Sequence, residues 1–302
     1  MILSMQKLKK KTDILIKKIE QIPTLPAISQ KVLEIVRSED ASIDKIAPLV
    51  EQDPALASNV LKVANSSFYG CLSRVSSIDH ALVVLGINET KSILLGFSVH
   101  NFFSQHRGKN RRFDHTRFWR HGIICSQVAK LLGRQFRVQN DSTLFLVGLI
   151  HDIGKIVLDQ YLTEDFEQII ERVSSGRMTF SAAEKEVLGA THYQIAAKLL
   201  KQWHFPNSVI MPVLYHHAPW YDKGYEMSSI IVYLANILTH LVDYSCSSGE
   251  KRIDLQAFTG SREFDYILKN GLDFDQEMFV NIISQIRQTI VAETDNIMRL
   301  FD

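Results

Sequence analysis

The stretch LFLVGLIHDIGKIVLDQY, residues 144–161, contains His151, Asp152 and Lys155 within a segment that is otherwise apolar. An unpaired carboxylate or ammonium is costly to bury, so such groups are normally paired, hydrogen-bonded or bound to a metal. Imidazole and carboxylate are also the usual ligands of divalent transition metals such as iron, manganese, nickel and zinc. The stretch therefore predicts that polar partners or a metal ion are supplied from elsewhere in the chain.

Helical spacing predicts that the polar residues of this stretch form one stripe on a continuous helix. Gly154 interrupts this helix at a cost of roughly 1 kcal/mol relative to alanine. A neighbouring backbone or ligand that comes too close for a side chain would explain the glycine, and so would helix packing alone. The residues of the stripe are Gly148, His151, Asp152, Lys155 and Asp159.

Four further histidines lie in helical contexts and are candidate partners of the stripe: His121, His192, His216 and His217. Taken singly, each has a plainer explanation, as a hydrogen-bonded core histidine, a residue at a helix start or a surface residue. Adjacent positions on a helix diverge by about 100°, so an aspartate beside a histidine could bridge two ions. As an ordered set the histidines favour a metal site. The remaining ones are interpreted as structural or exposed: His80, His100, His106, His115, His204 and His240.

The overall composition is typical of a globular protein with a substantial core, with 302 residues, 46% hydrophobic and 22% charged. A formal net charge of +1 gives no global attraction to nucleic acid or to an anionic membrane. Cys71, Cys125 and Cys246 are widely spaced, which argues against a disulfide framework and a thiolate zinc site. No apolar run approaches the roughly 20 residues that span a bilayer. We therefore expect a cytoplasmic protein.

Apolar residues recur at three- and four-residue spacing in a series of short segments separated by cap signals. Asp53 precedes Pro54 at one such start, and Asn88 precedes another. Long period-two alternation is rare, so the sequence predicts an all-α, multi-helical bundle. A basic segment at residues 105–117, either an anion-binding strap or a solvated loop, marks the main internal boundary. We expect an N-terminal helical half at residues 1–110, a second helical half with the candidate metal pocket at residues 111–245, and a C-terminal helical extension at residues 246–302.

Several motifs resemble the HD superfamily of metal-dependent phosphohydrolases: FWRHG, GLIHDIGK, ATHYQIAAKLLKQWHFP and VLYHH. Upstream, LVEQDPALASNVLKVANSSFYG and RVSSIDHALVVLGINETKSILLGFSV are similar to the HDOD family, an all-helical relative found in bacterial signalling and regulatory proteins. The resemblance extends from about Ile22 to Val242. It implies an HDOD or HD-like bundle.

The resemblance also implies ligands for two metal ions: His121, His151, Asp152 and a late aspartate for one, and Asp152, His192, His216 and His217 for the other. The late aspartate lies in a family motif like hhLADhL, whereas this chain reads IVYLANILTH, with Asn236 in its place. An amide carbonyl can coordinate an ion, but it carries no charge and cannot accept a proton as a carboxylate can. We expect a weaker or single-metal site.

A second departure concerns the cyclic-dinucleotide phosphodiesterase branch, whose signature resembles H-H-E-x-x-D-G-x-G-Y-P. The present chain reads HHAPWYDKGYE, with Ala218, Tyr221 and Glu226 where the signature has glutamate, aspartate and proline. We do not place the chain in that branch.

The loop segment ANSSFYGCLSRVSS also resembles the HDOD signature. It is rich in small polar residues, with Gly70 as a turn former. We interpret Asn65, Phe68, Tyr69 and Arg74 as parts of a structured loop without a catalytic role.

Two functions are consistent with these patterns. The first is a signalling or regulatory HDOD module that binds a signalling protein or a small phosphorylated ligand, with a pocket that retains a metal or an anion. The second is an active phosphohydrolase on a nucleotide or other phosphoester, in which Asp152 orients the nucleophile and Lys155 neutralises charge on the phosphoryl oxygens. Neither a nucleic acid nor a membrane is expected as partner.

Overall fold

The computed structural model describes residues 11, 14–38, 40–66, 74–104, 112–138, 141–176, 178–247, 253–272, 274, 276–290, 294 and 298. Within these ranges the chain is helical and contains no strand, which confirms the predicted all-α class. The helices are α1 (14–20), α2 (Ala27–Arg37), α3 (Ile43–Glu51), α4 (Pro54–Ala64), α5 (Ile78–Leu85), α6 (Ile87–Ser104), α7 (His115–Gln135), α8 (Asp141–Ile150), α9 (Ile153–Tyr161), α10 (Thr163–Ser174), α11 (Phe180–Leu188), α12 (His192–Gln202), α13 (Asn207–Tyr215), α14 (Glu226–Leu241), α15 (Leu255–Thr259), α16 (Arg262–Lys269) and α17 (Gln276–Gln285).

The structure confirms one of the predicted helix caps and contradicts another. Asp53 accepts hydrogen bonds from the backbone N–H groups of the first turn of α4, at 3.0 and 3.1 Å, with Pro54 as first helical residue. The expected cap at Asn88 is wrong, because α6 already begins at Ile87. Gly86, with φ of +76°, ends α5 and turns the chain directly into α6.

The side chain of Asn65, at the end of α4, pairs with the backbone of Val75. The Asn65 amide donates to the carbonyl oxygen of Val75 at 2.8 Å, and its own oxygen accepts from the Val75 N–H at 2.8 Å. This pairing is consistent with the predicted structured loop. Phe68 and Tyr69, which belong to the same prediction, lie outside the described residues.

Helices α7 and α8 cross at close range in the middle of the bundle. A Cβ atom on Gly122 of α7 or on Gly148 of α8 would lie 2.6 Å from a backbone atom of the other helix. The two glycines therefore allow the backbones to meet directly. This contact brings His121, the neighbour of Gly122, close to His151, which follows α8.

The predicted single helix over residues 144–161 is wrong in one respect. Helix α8 ends at Ile150 and α9 begins at Ile153, so His151 and Asp152 form a two-residue turn between them. The backbone of Asp152 has φ of −95° and ψ of 6°, outside the α-helical region. Apolar residues continue at helical spacing on both sides, so the periodicity does not reveal the interruption. The side chains of His151 and Asp152 therefore project from the junction between α8 and α9.

Helix α9 packs against the start of α12. A Cβ on Gly154 would overlap the backbone carbonyl of His192, which confirms the predicted close approach of a neighbouring backbone. The start of α12 is held by a capping box, in which the Gln194 side chain accepts from the Thr191 N–H at 3.0 Å. This packing places His192, the first residue of α12, next to Asp152.

The N-terminal helices pack onto the same core. Helix α6 contacts α2, α4, α5 and α8, and a buried ion pair between Glu89 of α6 and Lys130 of α7, at 2.6 Å, joins the two parts. The proposed division at residues 110 and 245 stays a prediction, and residues 105–111 of the basic segment lie outside the described ranges. Within the described chain no single helix has the length and apolar character needed to cross a bilayer, and only the bent pair α5–α6 passes that test jointly.

Candidate metal centre

Asp152 and five histidines from separate parts of the fold converge on one buried region. His121 comes from α7, His151 and Asp152 from the α8–α9 turn, His192 from the start of α12, and the last two histidines from the residues after α13. Their potential ligand atoms form two groups, each with all atoms within 4.8 Å of one another: His121, His151 and Asp152, and Asp152, His192, His216 and His217.

The two oxygens of Asp152 face different groups. Oδ1 lies 3.1 Å from Nε2 of His192 and 3.6 Å from Nε2 of His216. Oδ2 lies 3.5 Å from Nε2 of His151 and 3.9 Å from Nε2 of His121. Asp152 thus presents one oxygen to each group, so its carboxylate could contribute to holding an ion with either set of histidines.

Hydrogen bonds orient the imidazole rings towards this carboxylate. Nδ1 of His151 and of His216 donates to the backbone carbonyl three residues earlier, at 2.8 and 2.7 Å. Nδ1 of His121 donates to the carbonyl of Tyr244 at 2.6 Å. Because a carbonyl oxygen can only accept, the proton of each neutral ring resides on Nδ1. The lone pair of Nε2 then points towards Asp152 and is available to a metal.

Nδ1 of His192 contacts a side-chain carboxylate, whereas Nδ1 of those three rings contacts a backbone carbonyl. Its Nδ1 and its backbone N–H donate to the fully buried Glu184, at 2.8 and 3.1 Å. Although burial opposes the charged ring, the Glu184 carboxylate raises the pKa of His192 to about 9. A bound ion must displace the proton on Nε2, and in return it meets a more basic ligand.

The other four rings are uncharged at neutral pH. Burial lowers the pKa values of His151, His216 and His217. Burial and the neighbouring His240 lower the pKa of His121 to about 4. Neutral imidazoles are the form that binds metal, so these rings need lose no proton.

Lys155 balances the charge of the shared carboxylate. Its ammonium donates to Oδ2 of Asp152 and to Sγ of Cys246, both at 2.8 Å, and lies 4.6 Å from the centre of the Phe180 ring. Burial opposes ionisation of Asp152, but Lys155 and the neighbouring histidines hold its pKa well below the usual range. The carboxylate is therefore ionised and ready to bind a cation.

The donors fit a transition metal. Nε2 of His216 and Oδ1 of Asn236 are buried and have no hydrogen-bond partner among the described residues. Unsatisfied buried acceptors are rare unless an ion or water completes them. Imidazole nitrogens with one shared carboxylate suit iron, manganese, nickel or zinc. His217 is only half-buried, so solvent can reach the region next to this histidine.

Residues 22–219 of the chain match the family model of the HDOD domain. The chain belongs to the HDOD family. The predicted resemblance is thereby confirmed, and the five histidines and Asp152 all lie within the match.

Two curated relatives are longer than this chain. An uncharacterised protein of Treponema pallidum is 23% identical over 227 residues, which cover 75% of this chain and 44% of the relative. The uncharacterised protein YuxH of Bacillus subtilis is 22% identical over 143 residues, covering 47% of this chain and 32% of YuxH. The chain thus matches less than half of the length of either relative.

Solved structures share the HDOD fold. An HDOD domain protein of unknown function from Geobacter sulfurreducens has a TM-score of 0.80 at 23% identity, covering 95% of this chain and 98% of that one. A candidate phosphohydrolase from Shewanella amazonensis has a TM-score of 0.75 at 20% identity, with the same coverage. Identities this low establish the fold alone.

Asn236 follows the HDOD match, on helix α14. It is buried, and it lies one turn before His240, whose ring centre is 5.2 Å from that of His121. Asn236 is thus on the face of α14 that approaches the first group of ligands. Its role as a ligand stays a prediction.

Some residues around the centre escaped sequence reasoning: Glu184, His240, Tyr244 and Cys246. No local motif marks them, because they meet the ligands only through the tertiary fold. Asp159, at the far end of the predicted polar stripe, has a polar partner outside the centre, His115 at 2.8 Å. Metal binding by the predicted ligands itself stays a prediction.

We expect Glu184→Gln to weaken metal binding about tenfold, because loss of the outer carboxylate makes His192 a poorer ligand. A titration with Mn²⁺ would measure the change. Glu186→Gln is the matched control. Glu186 is an exposed residue of the same helix, and its carboxylate lies 3.7 Å from Arg172, outside the centre. Equal affinities for the two variants would contradict a supporting role for Glu184.

Proposed function

We propose that this HDOD protein is a regulatory module that holds a divalent transition metal and, through it, binds a phosphorylated ligand or signalling partner. One observation carries the proposal. Two groups of inward-facing ligand atoms share the carboxylate of Asp152, and hydrogen bonds behind four of the histidines orient their rings. Such second contacts are typical of metal ligands.

The charge of the pocket supports an anionic ligand. The carboxylates of Asp152 and Glu184 offset one divalent ion, and the ammonium of Lys155 then leaves the pocket net positive. A positive, partly enclosed site attracts phosphate groups, which form strong charge-assisted hydrogen bonds. The half-buried His217 marks the side from which such a ligand would approach.

Two features favour regulation over catalysis. Among the described residues, helices α2 to α6 contribute no ligand to the two groups, although they form a large part of the HDOD match. Asn236 also supplies a neutral amide where the family motif has a carboxylate, so it cannot accept a proton. Both features suit a module that holds a ligand in place.

Phosphoester hydrolysis is the second candidate, and the two-sided contacts of Asp152 favour it. A bound ion would act as a Lewis acid that polarises a phosphoryl oxygen. Asp152 would orient the attacking water, and Lys155, 2.8 Å from Oδ2, would neutralise negative charge on the phosphoryl group.

Elemental analysis of the untreated protein tests the proposal. We expect about one transition-metal ion per chain, lost in His151→Ala. Absence of metal that persists after incubation with manganese, iron and zinc salts would overturn it. A generic phosphoester assay on the manganese- and iron-loaded protein separates the two candidates. Turnover that His151→Ala abolishes would establish the phosphohydrolase, whereas bound metal without turnover supports the regulatory module.

Asn236→Asp should increase metal affinity about tenfold, or ~1.4 kcal/mol, because a carboxylate attracts the ion more strongly than a neutral carbonyl of nearly the same size. Paired Mn²⁺ titrations of the two proteins would measure the gain, and weak phosphoesterase activity would accompany it. Asn236→Ala serves as the comparison and should bind more weakly than the wild type. Unchanged affinity in both variants would show that Asn236 does not line the pocket.

A further inference from the structure

The segment of residues 244–247 follows α14, lies beyond the HDOD match and contacts the candidate centre. The carbonyl of Tyr244 accepts from Nδ1 of His121 at 2.6 Å. Sγ of Cys246 accepts from Nζ of Lys155 at 2.8 Å. Two residues of one short segment, Tyr244 and Cys246, thus contact two different residues of the centre.

Ser245, between these two residues, attaches the segment to α7. The guanidinium of Arg117 donates to its carbonyl at 2.8 Å and to its hydroxyl at 2.7 Å. Arg117 lies one turn before His121, so the segment is bound at two points along one face of α7. Cys246 is fully buried and Ser247 is 4% exposed, so the segment is packed into the protein.

The sulfur of Cys246 affects Asp152 through Lys155. A buried ammonium has three donors and needs acceptors in fixed directions. With the sulfur on one side and Oδ2 of Asp152 on the other, each at 2.8 Å, the ammonium is shared between them. Without the sulfur the ammonium would lose one of its acceptors and would depend more on the carboxylate, so it would compete more strongly with an ion for Oδ2.

We propose that residues 244–247 are a positioning element of the metal centre, with Cys246 as a positioning residue that sets how Lys155 is shared with Asp152. This inference rests on the proposed metal binding and deepens it. It assigns a role in the centre to a part of the chain that follows the HDOD match. Cys246 acts through Lys155 and is not itself a ligand.

Titrations with Mn²⁺ on full-length variants test the proposal. We expect Cys246→Ala to bind Mn²⁺ about tenfold more weakly than the wild type, as is typical for loss of an outer contact. Cys246→Ser should stay within about twofold of the wild type, because a hydroxyl also accepts from the ammonium. Val60→Ala is the control for loss of buried side-chain volume, because Val60 is fully buried on α4, a helix that carries no candidate ligand, and this variant's affinity should not change.

A double-mutant comparison separates positioning from general stability. In a Lys155→Met background, Cys246→Ala should change the Mn²⁺ affinity by less than about twofold, because the residue that transmits its effect is gone. Thermal unfolding of each variant shows whether stability and affinity change together. An equal loss of affinity in both backgrounds would overturn the positioning role, and so would an unchanged affinity in Cys246→Ala.

The result for the wild type distinguishes the two proposals. If the wild type binds Mn²⁺ and Cys246→Ala binds it equally well, only the positioning role fails. If the wild type binds no metal, the proposed function fails and the positioning role fails with it. If Cys246→Ala does not fold, Cys246→Ser takes its place. An affinity within about twofold of the wild type then supports the role, and a tenfold loss that is equally large in the Lys155→Met background overturns it.

Discussion

Asp152→Asn is expected to reduce metal affinity by more than about 100-fold, because the single carboxylate belongs to both groups of ligands. The amide has nearly the same size, so the loss reflects charge and not shape. The same change removes the negative partner of a buried ammonium, which is expected to lower the free energy of unfolding by about 3–5 kcal/mol. Metal titration and chemical denaturation would measure the two effects.

The double variant Asp152→Asn with Lys155→Met is the control for this expectation. Removal of both charges should restore most of the stability, since no ammonium is then left without its carboxylate. It should not restore metal binding. Strong binding by either variant would show that Asp152 is not the shared ligand, and a metal-binding double variant would place the site elsewhere in the protein.

Gly154→Ala is expected to reduce both stability and metal affinity. The new methyl group would overlap the backbone carbonyl of His192, so α9 and α12 must separate. Overpacking of this kind costs about 1–3 kcal/mol. Because the displaced residue is itself a predicted ligand next to Asp152, we expect metal affinity to fall about tenfold as well.

Gly224→Ala is the matched control for this change. A Cβ at Gly224 meets no atom within 4 Å, and the backbone there does not require glycine. Its effect on unfolding should stay within about 0.5 kcal/mol, with unchanged metal affinity. If Gly154→Ala matched this control, the contact between α9 and α12 would not position His192.

Helix content was predictable because it is a local property. Apolar spacing and cap signals such as Asp53 report on a few neighbouring residues. The glycine at position 154, inside a helical pattern, indicated a close approach as one of two explanations. The turn at His151 and Asp152 was not predictable in this way. The apolar pattern continues in phase through it, and its geometry depends on the packing of α8 and α9 against different helices.

The supporting residues of the centre could not be derived from spacing. Cys246 meets Lys155 across 91 positions of sequence, and Tyr244 meets His121 across 123. Tyr244 contributes only a backbone carbonyl, which any residue type could supply, and Cys246 is an isolated cysteine without the spacing of a thiolate site. The candidate ligands were recognisable because histidine and aspartate carry their chemistry in their side chains, whereas an outer contact is defined only by position.

The turn between α8 and α9 gives the metal centre a mechanical aspect. His121 is carried by α7 and His151 directly follows α8, whereas His192 is carried by α12, which packs on α9. Asp152 belongs to neither pair of helices, so the separation of the two ligand groups depends on the angle at which these pairs meet. A signalling partner that altered this angle would change metal affinity, and by thermodynamic reciprocity metal binding would change the affinity for that partner by the same factor.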